Sequence, residues 1–207
     1  MAVGALRELL VRPRTFFAAR SLDRLRPYAL GAILVSALVA LFAQAILLRI
    51  TLSEFPPELP DGLPGGYGLL IVISLVTTLL IWGLLTGLVH IAVRNQAERA
   101  TVQRTFAVVG LAALVGIPVT IVGALEAYYA FLSEGTAAVT SQQTSAVTDG
   151  PLSLAVAIAG ILWKGYIWRE GLLGAYDLTA DRATIAAGLA VAVSFALAVR
   201  PISLGLG

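Results

Sequence analysis

Residues 68–93 read GLLIVISLVTTLLIWGLLTGLVHIAV, 26 consecutive positions without Asp, Glu, Lys or Arg. A helix of that length covers about 39 Å at 1.5 Å per residue, more than the ~30 Å hydrocarbon core of a bilayer. Apolar residues run on without alternating with polar ones, so a membrane β-barrel does not compete. Four further stretches share this character: about Pro27 to Leu48, Phe106 to Leu125, Leu152 to Trp168 and Ala183 to Val199. The reading is an all-α integral membrane protein, a bundle of five transmembrane helices. The spans fall at about 27–48, 68–93, 106–125, 152–168 and 183–199, within a domain of residues 27–200. A basic amphipathic arm (1–26) precedes them and a short outer tail (201–207) follows.

Composition agrees. Of 207 residues 58% are hydrophobic and only 13% charged, against about 45–50% and 25% in soluble domains. The absence of cysteine excludes disulfides, thiolate metal sites and cysteine nucleophiles, and a single histidine, His90, excludes any site built from two. We therefore expect no catalytic residue, metal or cofactor. A net charge of +2 offers no nucleic-acid surface.

Orientation follows from the arginines. Arg7, Arg12, Arg14, Arg20, Arg24 and Arg26 precede the first span, and Arg94, Arg99 and Arg104 lie between the second and third. Lys164, Arg169 and Arg182 cluster around the fourth and fifth, leaving Arg49 and Arg200 on the other side. The N-terminus is expected to be cytoplasmic, the C-terminus outside, and the location the cell membrane. Ala43-Gln44-Ala45 has the small-x-small pattern of a cleavage site. The basic region before it is too long and the apolar run continues past it, so the first span is expected to be retained. Leu6, Leu9, Leu10, Phe16 and Phe17 give the arm an apolar side suited to an anionic leaflet surface. The bland reading of its arginines is a topology signal.

Three positions are candidate polar sites within the membrane: Gln44, His90 and Lys164. Gln44 suits a hydrogen bond to a neighbouring helix. His90 lies near the end of the second span and reads as interfacial, because no titratable partner at depth is evident for a proton relay. Lys164 has a stem long enough to snorkel, and Trp163, Tyr166 and Trp168 around it suggest an aromatic belt. Gly83 and Gly87 form a small-xxx-small notch, Ala186 and Ala190 begin a small stripe, and Pro118 is expected to kink the third span. These are helix-packing candidates for the bundle or for a homo-oligomer. Asp177 and Asp181, four apart, resemble the end of the phosphatidyl-alcohol transferase signature. Its upstream portion is missing, and helix capping by Thr179 and Asp181 explains them better.

Three segments together resemble the Yip family, the Ypt/Rab-interacting membrane domain, in its bacterial and archaeal form. Val11-Arg12-Pro13-Arg14-Thr15-Phe16-Phe17 is similar to the Pro-x-x-Phe-Phe before that family's first span. Leu88-Val89-His90 through Arg104-Thr105-Phe106 is similar to the stretch leading into its proline-containing third span. Ile167-Trp168-Arg169-Glu170-Gly171-Leu172, followed by Leu178-Thr179-Ala180-Asp181-Arg182-Ala183, resembles its aromatic fourth span, Gly-Leu pair and short turn. The resemblance implies a non-enzymatic membrane protein whose eukaryotic relatives act in vesicle traffic and bind prenylated Rab GTPases. The arm here is short and the Asp-Leu-Tyr-Gly-Pro motif is absent, so no GTPase-binding residue is carried over.

Two functions are then weighed. One is a membrane-organising or vesicle-trafficking adaptor whose cytoplasmic face recruits a small GTPase, another cytoplasmic protein or anionic lipid. Its candidate contacts are Arg12, Arg14, Phe16, Phe17, Arg94, Arg99, Arg104 and Arg169. The other is a small transporter or permease subunit with a polar path along Gln44, the hydroxyls of the second span, His90 and Lys164. The scarcity of paired charges within the spans favours the adaptor.

Overall fold

The computed structural model describes residues 3–52, 63–94, 97, 100–135, 151–176 and 178–203. Among them every regular element is helical: α1 (Val3–Val11), α2 (Pro13–Ala18), α3 (Leu22–Leu52), α4 (Leu63–Arg94), α5 (Val102–Leu111), a 3₁₀ turn (Ala112–Val115), α6 (Gly116–Glu134), α7 (Pro151–Ala175) and α8 (Ala180–Ser203). Among the described residues four stretches are long and apolar enough to cross a membrane: Leu22–Ile46, Ile71–Arg94, Val102–Ser133 and Ala180–Leu197. The chain is a multi-pass membrane protein. The expectation of five such spans is met by four. The expected span at 152–168 does form a helix, α7, but Lys164, Arg169 and Glu170 in its second half dilute its apolarity.

Pro118 acts on the third span through its missing N–H and through the clash of its ring with the carbonyl of Leu114, four residues earlier. The helix answers by tightening. Residues Ala112–Val115 wind as 3₁₀, and the Gly116 amide donates to Ala113 O and Leu114 O before the α-helix resumes. Farther along, the Glu126 carboxylate accepts from the Ser153 amide at 2.8 Å. An acidic side chain of α6 thus satisfies one of the unpaired donors in the first turn of α7.

Buried residues concentrate at one end of the bundle, here the arm end. They include Leu9, Phe16 and Phe17 of the arm, Ala29 and Ile33 of α3, Val89 and Val93 of α4, Val108 to Ala113, Ile167, Trp168 and Leu172 of α7, and Ala183, Ala186, Ala187 and Ala190 of α8. In the other half Phe42, Leu80, Leu125 and Leu162 are each more than 60% exposed. Only 17–39% of the residues in the candidate spans are covered by protein. Lipid is the solvent that such a surface requires.

On the arm's apolar side Leu9, Phe16 and Phe17 are covered by protein rather than by lipid, while Leu6 stays partly exposed. α2 packs on the second half of α7 and α1 packs on α2, and Phe16 and Phe17 meet edge to face with centroids 5.1 Å apart. Burying two phenylalanines is worth about 1.5–3 kcal/mol each. The close approach requires glycine at two α7 positions. A Cβ on Gly171 would lie 2.8 Å from Val108 Cγ1 and 2.9 Å from Phe17 Cε2, and one on Gly174 would run into the Arg14 carbonyl oxygen. Backbone cannot yield as a side-chain tip can. Gly174→Ala is therefore expected to cost about 1–3 kcal/mol, read as a lower thermal midpoint in detergent. Gly83→Ala, with nothing within 4 Å of the added carbon, is expected to leave the midpoint unchanged.

Candidate functional site

The arm end gathers the exposed charge. Arg12 sits at the break between α1 and α2, Pro13 opens α2, and Arg12 and Arg14 are exposed while Phe16 and Phe17 are buried beneath them. The carbonyls left free at the end of α1 are met by aromatic donors from α7. Trp163 Nε1 donates to Leu10 O at 3.2 Å and the Tyr166 hydroxyl to Val11 O at 3.3 Å. Trp168 is fully buried, its Nε1 donating to Val109 O at 3.1 Å. Of the three aromatics expected to form a membrane belt, Trp163 and Tyr166 stay about half exposed while tying α7 to the arm, and Trp168 is instead buried against α5. Arg20 closes the corner between α1 and α2. It donates to Glu8 Oε2 at 2.7 Å and to Phe16 O at 3.1 Å, and its guanidinium lies 4.1 Å from the Phe16 ring centroid, a contact worth about 0.5–1 kcal/mol when exposed.

Asp23, in the first turn of α3, accepts from Arg26 at 2.6 Å and from Arg104 at 3.3 Å, joining α3 to the start of α5. Thr101 caps α5 by accepting from the Arg104 amide at 3.2 Å. Arg169 pairs with Glu170 and donates to Thr184 Oγ1 at 2.9 Å, binding α7 to α8. Arg104 and Arg169 thus have partners within the fold, Arg94 is exposed at the end of α4, and Arg99 lies outside the described residues.

Beneath this surface runs a buried hydroxyl relay that sequence reasoning missed. Thr105 is fully buried, and its Oγ1 donates to Thr101 O at 3.1 Å. The same oxygen lies 3.2 Å from the Tyr176 hydroxyl and 3.4 Å from His90 Nδ1. Burial pushes the Tyr176 hydroxyl above the usual phenol range, outweighing its hydrogen bond to Thr105 and the nearby Arg104 charge, so it stays protonated at neutral pH. No pattern marks this pairing across 71 residues.

Lys164 turns inward instead of reaching for a membrane surface. Its Nζ is 5.9 Å from the Trp82 ring centroid and 3.7 Å from the point a Cβ on Gly116 would occupy, with Ser36 Oγ 3.0 Å from that point. Gln44 is exposed on the far half of α3, about 12 Å along the helix from Ser36. Ala186 and Ala190 are fully buried, whereas an added Cβ on Gly83 or Gly87 would meet open space.

Thr105→Val removes the shared hydroxyl while keeping the shape, so it should cost about 1–3 kcal/mol by stranding Tyr176. Combining it with Tyr176→Phe should cost less than the two single changes added together. Thr86→Val removes a buried hydroxyl that lacks a hydrogen-bond partner and should be neutral or stabilising. Unfolding midpoints in detergent check all three.

No curated protein and no solved structure matches the chain. The family model described as the Yip1 domain matches residues 7–200. That range begins within α1 and ends within α8, so it takes in the docked arm, the proline-tightened third span and the glycine-bearing α7. On that match, the chain belongs to the Yip1 domain family.

Proposed function

We propose that this chain is a non-enzymatic, membrane-organising adaptor of the vesicle-trafficking type. Its arm end lies in the cytoplasm and recruits an acidic cytoplasmic partner, with a small GTPase the class that the family favours. In this reading α7 is a fifth span, the C-terminal end lies outside, and the host is the cell membrane. Two observations support the fifth span. The helix is 25 residues long, about 37 Å, and its polar side chains engage other helices. The orientation rests on twelve of fourteen basic residues falling on one side of such a five-span bundle.

The docked arm is the observation that carries the recruiting role. Burial of Phe16 and Phe17 holds Arg12 and Arg14 on a fixed platform, so less ordering remains to be done when a partner arrives. Exposed guanidinium groups also steer an acidic partner toward the surface. A transporter or permease subunit draws less support, because exposed Gln44 stands apart from inward-turned Lys164 and from His90 in its hydroxyl relay.

Crosslinking in native membranes, with and without a non-hydrolysable GTP analogue, tests the role. One acidic cytoplasmic protein should attach through the arm, and the pair Arg12→Glu and Arg14→Glu should lower its capture about tenfold. His90→Ala and Lys164→Met should leave capture intact. Attachment only to a soluble ATPase or a substrate-binding protein would move the reading to transport. Topology is checked separately, because the chain has no native cysteine. S21C and S203C should react with an impermeant maleimide from opposite sides of the membrane; labelling from one side means an even number of crossings.

A further inference from the structure

Where α1, α2 and α3 meet at the arm end, an open groove of about 420 Å³ is lined by Arg20, Ser21, Arg24 and Tyr28 over a floor that includes Ala5 and Leu25. Of the nearby carboxylates one offsets a groove arginine and the other is engaged elsewhere. Glu8 holds one nitrogen of Arg20, and Asp23 is held by Arg26 and Arg104. The Arg24 side chain is exposed and has no hydrogen bond or ion pair among the described residues. The groove therefore has a surplus positive charge, with a phenol and a serine hydroxyl beside it.

A second feature continues from it. At 3.6 residues per turn Arg24, Tyr28, Gly31, Val35, Leu38 and Phe42 fall within about 80° of arc on α3. Tyr28, Val35, Leu38 and Phe42 are 48–70% exposed, and a Cβ on Gly31 would meet nothing within 4 Å. A track thus leads from a free guanidinium, past a phenol and an open notch, onto bare apolar side chains. From Tyr28 to Leu38 it rises about 15 Å, half of the ~30 Å hydrocarbon core and so one leaflet. Cation at the headgroup level and apolar surface through one leaflet match the two parts of a single amphiphile.

We infer that this groove and track form a binding site for one anionic glycerophospholipid. Its phosphate sits between Arg24 and Arg20, with Ser21 and Tyr28 as hydroxyl donors, and one acyl chain lies over Gly31. The inference deepens the lipid side of the adaptor reading and rests on it only in placing this end at a leaflet surface. Partner recruitment stands or falls separately.

The test is native mass spectrometry of the intact chain released from vesicles of equal parts phosphatidylglycerol and phosphatidylcholine. One phosphatidylglycerol per protomer should be retained in preference to phosphatidylcholine. Arg24→Gln should lower that retention about fivefold, the effect of one basic residue near a headgroup, while Arg182→Gln on α8 should not. Gly31→Leu, which fills the notch and keeps the charge, should lower it as well. Retention that survives millimolar inorganic phosphate identifies a lipid headgroup; displacement by phosphate identifies a free-anion site and overturns the lipid assignment. Equal retention of both lipids, or an Arg24→Gln chain that retains as much as the parent, also overturns it.

Discussion

The packing of the arm on α7 is the contact on which the rest of this structure leans. Gly171 and Gly174 remove the side chains that would hold the two backbones apart, and Phe16 and Phe17 fill the seam. The indole of Trp163 and the phenol of Tyr166 then satisfy carbonyls at the end of α1. Each feature needs the others. Without the glycines the phenylalanines would stay in lipid or water, and without the aromatic donors the end of α1 would lose its two hydrogen bonds to α7. Because α7 also contacts α5, α6 and α8, fixing the arm to it fixes the whole arm end.

That constraint explains the asymmetry of the bundle. Protein covers protein at the arm end, where Thr105 joins Tyr176 and His90 and Asp23 joins Arg26 and Arg104. In the far half large apolar side chains such as Phe42 and Leu125 face outward, and buried positions such as Ala127 and Ser153 are few among the described residues. A firm charged surface above a loosely packed lipid-facing half suits a protein that presents a surface, and suits a sealed conduction path less well.

Helices in lipid were legible from residues alone because the penalty on polar groups in hydrocarbon writes itself into long apolar runs. Span 68–93 appears inside α4 for that reason, and Pro118, expected to kink the third span, stands just after a 3₁₀ turn at Ala112–Val115. What stayed hidden depended on tertiary pairing. Trp163, Tyr166 and Trp168 have the composition of a membrane belt, and only the fold turns them toward the arm and Val109. Lys164 had a stem able to reach a membrane surface, and only the placement of Ser36, Trp82 and Gly116 shows it turned inward. The stretch 152–168 was expected to cross the membrane, and in α7 the charges of Lys164, Arg169 and Glu170 keep the helix short of the apolarity of the other four. The groove at Arg20 and Arg24 was hidden for a related reason: its walls come from three elements, and in sequence its arginines read only as a topology signal or a general attraction to an anionic leaflet.

The central claim is that the arm is part of the folded bundle and does not lie as a separate helix in the headgroup layer. A photoreactive diazirine analogue of leucine at position 9, activated in native membranes, tests this directly, because Leu9 is fully buried in the core at the arm end. The account expects adducts within the chain itself, mapped by mass spectrometry to residues of that core. Adducts predominantly with lipid acyl chains would contradict it.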